Sequence, residues 1–290
     1  MSSDTQAFFL PASSGDTSQR FCVFHPAQHE LRGRVVYVHP FAEEMNKSRR
    51  MAAMQARALA AAGFSVLQID LHGCGDSSGD FGDASWQGWI DDVLRAIEWL
   101  RQRDAAHAQA PLWLWGLRAG CLLTAEAATH LDEPSNLLFW QPAVAGKLLL
   151  QQFLRLKLAG DMLGGNNKGL MEATRQQLAQ GHAIEVAGYT LSPLLANGLE
   201  QSQLKPPQLS RSCRLEWFEL TTRDDAALSP VATQTLAKWT AASYQSRNHL
   251  VQGPAFWQTS EIEDAPNLIA ATTAALLVNE SKALVQGTPV

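Results

Sequence analysis

Apolar residues recur along this chain in short unbroken runs, separated by longer stretches in which they return every three or four positions. Arg34-Val35-Val36-Tyr37-Val38-His39-Pro40, Phe64-Ser65-Val66-Leu67-Gln68-Ile69-Asp70, Leu112-Trp113-Leu114-Trp115 and Leu137-Leu138-Phe139-Trp140 are runs of the first kind. They suit strands covered on both faces. Between them, Met51, Met54, Ala58 and Ala62 follow a helical pattern that ends at Gly63. From Ser85, a candidate N-cap, Trp86, Ile90, Val93, Ile97 and Leu100 repeat at spacings of four and three. That is the period of a helix lying on a core, so the tryptophans read as packing residues. Strand, helix, strand is the parallel crossover unit.

The ends and the middle of the chain depart from this alternation. Residues 5–26 carry two short runs around a turn-rich segment, Pro11 to Gln19, and predict an antiparallel hairpin. Residues 143–205 have helical patterns over Leu148–Ala159 and Leu170–Ala179, with Gly164-Gly165-Asn166-Asn167 between them. The stretch is too long for a connector, so it predicts an inserted helical lid. Arg214–Leu220 then resumes the sheet, followed by a helix over Pro230–Ala242, a strand near Leu250-Val251-Gln252 and a helix over Pro266–Leu277. Residues 1–142 and 206–290 thus form one α/β core, a doubly wound, mostly parallel sheet, and ligands should bind outside the carboxyl ends of its strands.

Charge and composition remove several function classes. A net charge of −5 offers no basic surface for a nucleic-acid backbone or an anionic membrane. No run approaches the ~18 apolar residues of a membrane span. The first residues, Met1 to Gln6, have neither the basic region nor the apolar run of a secretory signal, so a cytoplasmic location is expected. Cys22, Cys74, Cys121 and Cys213 are scattered without a Cys-x-x-Cys pair, which predicts free thiols, no metal and no disulfide framework. No cofactor is called for.

Three loops should meet at the carboxyl edge of the sheet. In Trp115-Gly116-Leu117-Arg118-Ala119-Gly120-Cys121, a strand, a glycine-framed turn and a helix start follow one another. This is the layout of Gly-x-Ser-x-Gly, which lifts a strained nucleophilic serine above a parallel sheet, but Arg118 holds the serine position. His39-Pro40-Phe41-Ala42 falls where the backbone amide of an oxyanion hole is expected. Asp70-x-His72-Gly73-x-Gly75-x-Ser77 is a turn-forming loop. A triad acid would lie in Thr221–Pro230, with Asp225 the better match and Asp224 beside it. Both residues also suit ordinary turns. A triad histidine should follow the last strand, yet the chain there reads Gly253-Pro254-Ala255-Phe256-Trp257-Gln258. The nearest imidazole, His249, precedes or lies within that strand.

These motifs together resemble the α/β-hydrolase superfamily. The hairpin, the His39 loop, the Asp70–Gly79 loop, the Gly116–Gly120 elbow, the helix around Phe153-Leu154-Arg155-Leu156 and the Gly253-Pro254-Ala255-Phe256-Trp257 ending resemble, more narrowly, the exosortase A system-associated hydrolase 2 family. That resemblance implies a bacterial cytoplasmic protein linked to protein sorting and exopolysaccharide systems, a hydrolase by fold, with a possible protein partner among their components.

Arginine is no acyl-forming nucleophile, because its guanidinium stays protonated and offers only donors. At a helix start beside backbone amides it makes a site for a carboxylate or phosphate. Leu117 and Ala119 flank it, and His39, Phe41 and His72 from the neighbouring loops complete the expected binding set. The alternative is an internal pair between Arg118 and Asp70, Asp76 or Asp225. Two functions follow. One is a hydrolase of esters or thioesters with an unconventional set, Asp225, His249 and Cys74, the thiol activated by a nearby cation. The other is a pseudoenzyme with a degenerate triad that binds an anionic small molecule or a partner at Arg118.

Overall fold

The computed structural model describes residues 4–11, 17–160, 167–208 and 212–278. The centre of the expected hairpin's turn-rich segment and Gly164-Gly165-Asn166 lie outside them. Among the described residues the strands are β1 (Gln6–Pro11), β2 (Gln19–His25), β3 (Gly33–Val38), β4 (Phe64–Ile69), β5 (Leu112–Leu117), β6 (Asn136–Trp140), β7 (Ile184–Val186), β8 (Tyr189–Leu191), β9 (Cys213–Thr221) and β10 (Tyr244–Gln252). The helices are α1 (Glu43–Ala61), α2 (Trp86–Arg103), α3 (Ala119–Ala128), α4 (Gly146–Gly160), α5 (Asn167–Ala179), α6 (Pro193–Gln201), α7 (Pro230–Ala241) and α8 (Pro266–Leu277).

Eight strands form one sheet in the order β1-β2-β4-β3-β5-β6-β9-β10. The β1–β2 hairpin joins it antiparallel through β2 and β4, and from β4 to β10 every pairing is parallel. The central strands β3 and β5 are buried at every residue, as their unbroken apolar runs require. Two apolar layers cover the faces. One holds α2, α3 and the inner side of the segment between β6 and β9, and the other lies under α1 and α8. Trp113, Trp115 and Trp140 fill the second layer, and Trp89 and Trp86 the first, so the tryptophans pack as their periodicity predicts. Ser85 caps α2, its hydroxyl accepting from the Gly88 amide.

Two elements differ from the expectation. β10 runs over Tyr244–Gln252, although only its last three residues look like a strand in the sequence. It is the sheet's edge, where exposed Gln245 and Asn248 and half-exposed Arg247 suffice and an apolar run would invite aggregation. The segment between β6 and β9 also contains, besides its helices, the small β7–β8 hairpin, too short to give a periodic signal. From this segment α4 packs beside α6 and reaches over the carboxyl edge of the sheet.

Candidate active site

The turn between β5 and α3 has the backbone of a nucleophile elbow. Arg118 sits at φ 55° and ψ −112°, a left-handed conformation that a side chain rarely adopts. Such strain costs on the order of 1–3 kcal/mol and persists only where the surroundings over-determine it. Here the glycines supply that determination. A Cβ on Gly120 would strike the backbone oxygen of Val38 in β3, and one on Gly116 would strike the Cys121 backbone. The helix can therefore start directly against the sheet. The Arg118 amide donates to Trp140 O at 3.1 Å, which ties the turn to β6. Ala42, at the start of α1, repeats the same geometry with φ 50° and ψ −125°. Two strained helix starts thus face the carboxyl edge.

The side chain of Arg118 is engaged from three sides. Its Nε donates to Glu44 Oε1 at 3.2 Å and its Nη2 to Gln152 Oε1 of α4 at 3.2 Å. Its guanidinium carbon lies 5.7 Å from the centroid of the Trp257 ring. The arginine partner is therefore Glu44, and the expectation of a pair with Asp70, Asp76 or Asp225 is corrected. Asp70 instead accepts from Arg49 Nη2 at 2.8 Å and from the Asp76 amide at 3.1 Å. Glu44 followed no recognisable motif. Its only sequence signal was its place one residue beyond the start of α1, in the turn after His39-Pro40-Phe41-Ala42.

Trp257 stands over the elbow in the loop after the last strand, where a triad histidine was expected. Phe256 anchors it, with ring centroids 5.2 Å apart, and Phe256 itself packs on Trp140. A cavity of about 400 Å³ opens above, walled by Phe41, Glu43, Glu44, Lys47, Leu149, Gln152, Phe153, Leu156, Trp257 and Gln258. That volume is at the small end of the range for ligand sites. Arg118 lies beneath this lining, screened by Glu44, Gln152 and Trp257. Burial, only partly offset by Arg118, pushes the Glu44 carboxyl up to about 7. Burial raises Glu43 as well.

The remaining candidates are spread through the fold. Of the expected binding set, Phe41 lines the cavity, while Leu117 and Ala119 are buried in the two core layers on either side of Arg118. The His39 imidazole is consumed by structure. Its Nε2 accepts from the Leu71 amide at 3.2 Å, which fixes the proton on Nδ1, 2.7 Å from Pro40 O. Burial keeps it neutral by lowering its pKa. The His72 amide donates to Asp92, and its ring packs over Gly79, where no Cβ would fit. Ser77 closes the same loop, donating to Asp70 O at 2.6 Å.

The Asp225, His249 and Cys74 set is not assembled at the elbow: none of the three touches Arg118. His249 lies inside β10, its Nε2 2.7 Å from Glu216 Oε2 and its ring stacked on Phe218 at 4.3 Å. Asp225 is exposed, and neighbouring Asp224 accepts from Gln252 at 3.0 Å. The Cys74 thiol is buried and pushed well up by burial and by Asp70 and Asp92, so the expected activation by a cation is reversed. Cys121 is likewise buried, its thiol directed at Gly116 O at 3.1 Å. No disulfide joins the four cysteines, and no group of three or more metal-ligating side chains occurs among the described residues. Nor is any helix among them long and apolar enough to cross a membrane.

Comparison with known proteins agrees with this architecture. The human protein ABHD12B is 30% identical over 112 residues, which are 39% of this chain and 29% of that protein. The chain thus matches less than a third of that relative's length. Est1E from Butyrivibrio proteoclasticus, solved with ferulic acid bound, superposes with a TM-score of 0.65 at 14% identity, over 93% of this chain and 98% of that one. A soluble variant of monoglyceride lipase from Saccharomyces cerevisiae gives 0.56 at 16% identity, over 95% and 94%. At such identities these two establish the α/β-hydrolase fold alone. Residues 29–182, more than half of the chain and spanning the elbow and the His39 and Asp70 loops, match the family described as serine aminopeptidase, S33 (Hydrolase_4), and the chain belongs to that family of α/β-hydrolases.

Proposed function

We propose that this α/β-hydrolase acts as a binding protein with a degenerate triad, taking a small anionic ligand in the cavity above the Arg118 elbow without forming an acyl-enzyme. The observation that carries this reading is the Arg118 side chain itself. It occupies the nucleophile position, bonded to Glu44 and covered by Trp257 where a histidine would be needed. A guanidinium cannot attack a carbonyl, and an indole cannot take up a proton as a base. The strained elbow, the start of α3 and the cavity remain, and those are binding features. In this reading residues 143–205 form a lid, since α4 contributes Leu149, Gln152, Phe153 and Leu156 to the cavity wall. The motif resemblance to the exosortase A system-associated hydrolase 2 family extends the proposal to a role in the bacterial cytoplasm beside an exopolysaccharide and protein-sorting system, with one of its proteins as partner.

Thermal-shift screening against small organic acids tests the reading. Stabilisation is expected in the wild type and its loss in Arg118→Ala, while a panel of activated esters shows no turnover. Membership of a hydrolase family favours a second reading, hydrolysis of activated esters or thioesters by an unconventional set drawn from Asp225, His249 and Cys74. Turnover that fails in Cys74→Ala or Asp225→Asn would establish it in place of the first.

A further inference from the structure

Glu44 is held at the elbow by one oxygen and left unsatisfied at the other. Glu44 lines the cavity; its Oε1 accepts from Arg118, whereas its Oε2 is buried without a hydrogen-bond partner. An orphaned buried acceptor is costly. A neutral carboxyl changes its character, because the second oxygen then carries a proton and becomes a donor. The hold on Arg118 is also weak in form. Glu44 and Gln152 each supply a single contact at 3.2 Å, not the two parallel bonds that a planar carboxylate can make with a guanidinium.

We propose that the cavity receives a monocarboxylate with an apolar body and that this ligand binds together with one proton, carried by Glu44. The inference rests on the binding function proposed above and names its ligand class. The step balances simply: the ligand enters as its anion, one proton from solvent joins Glu44 Oε2, and that O–H donates to a ligand oxygen. No covalent bond forms. The second ligand oxygen lies on the side of Arg118 and Lys47. The body packs on Phe41, Leu149, Phe153, Leu156 and Trp257, the apolar part of the wall.

The charged groups facing Glu44 are Arg118 from the elbow and Glu43 and Lys47 from its own helix. From α4 and from the segment after β10 it meets the uncharged Gln152, Trp257 and Gln258. Glu43 repels an anion, so a doubly charged phosphate fits this wall less well than a single carboxylate whose charge is shared with a neutral acid. Because burial already brings Glu44 to about 7, the proton is taken up at little cost near neutrality.

Isothermal titration with phenylacetate and octanoate, in two buffers of different ionisation enthalpy between about pH 6 and about pH 8, measures the coupled proton directly. Net uptake should rise from near zero at about pH 6 towards one proton at about pH 8, with affinity falling about tenfold per pH unit at the alkaline end. Glu44→Gln, which keeps the neutral shape, should bind without proton uptake and with little pH dependence. Phenethylamine, a matched cation, should not bind. Carboxylate binding without proton uptake at about pH 8 overturns this inference while leaving the binding function standing, as does an unchanged pH slope in Glu44→Gln. Preference for the amine overturns the ligand class. Failure of both carboxylates at every pH, in wild type and variant, overturns the inference and the binding function together. The wild-type proton count does not depend on any variant folding.

Discussion

Trp257 lies with its ring centroid 5.7 Å from the guanidinium carbon of Arg118, so an indole and a cation meet where the sequence motifs lead one to expect base and nucleophile. Restoring one of them does not restore the chemistry. Arg118→Ser should remain inactive on activated esters and unlabelled by a serine-directed fluorophosphonate, because the His39 imidazole is held by Leu71 and Pro40 and that of His249 by Glu216. Labelling at that serine above the wild-type background would show that another base is in place.

The Glu44 carboxyl also couples folding to pH. Its folded pKa is raised from 4.5 to about 7, so between those values the native state binds more protons than the unfolded chain. Its contribution to stability is therefore greatest below the lower value and is lost as pH rises through the window. At roughly 1.4 kcal/mol per pKa unit, the change is on the order of 3 kcal/mol. Urea unfolding of wild type and Glu44→Gln in parallel isolates it: the difference in stability between them should shift in favour of the variant as pH rises from about 4.5 to about 7. A difference independent of pH would contradict the assignment.

Glu216 binds the edge of the sheet together. Wholly buried, it accepts from Arg214 at 2.6 Å and pairs with Arg247 and His249, while Arg214 also donates to Ala275 O in α8. Removing the carboxylate leaves the buried Arg214 uncompensated, so Glu216→Leu should lose about 3 kcal/mol in chemical denaturation. His249→Ala, at the more exposed end of the same cluster, should cost about 1 kcal/mol and leave ligand binding at the elbow unchanged. Equal losses in the two variants would mean that His249 carries more of the cluster than its exposure suggests.

Close approach of α3 to β3 predicts an intolerance of any side chain at Gly120. Its Cβ would meet the Val38 and His39 backbone oxygens, which cannot rotate away. Gly120→Ala should lower stability by about 3 kcal/mol, seen as a reduced melting temperature. An unchanged melting temperature would show that α3 can slide on the sheet.

Thiol reactivity separates the two functions from another direction. With all four cysteines buried and the Cys22 thiol pushed up to about 12, the native protein should react slowly with an aromatic disulfide reagent. The unfolded chain should titrate all four. Rapid reaction of one native thiol, traced to Cys74, would revive it as a nucleophile.

The order of strands and helices, the elbow and the absence of its serine were all legible along the chain, because each is a local property. Unbroken apolar runs can be satisfied only by two-sided burial, and Gly116 and Gly120 mark the turn they permit. The edge strand β10 and the β7–β8 hairpin were less visible, since polar edge residues and three-residue strands leave no period. Partnership was decided by tertiary structure alone. Glu44 and Arg118 are far apart in the sequence, and nothing local distinguishes Glu44 from Glu43. Only the crossing of β3 beside β5 sets the start of α1 against the start of α3, and that juxtaposition gives Arg118 a carboxylate partner, while the burial that comes with it, opposed by Arg118, raises the pKa of that carboxyl.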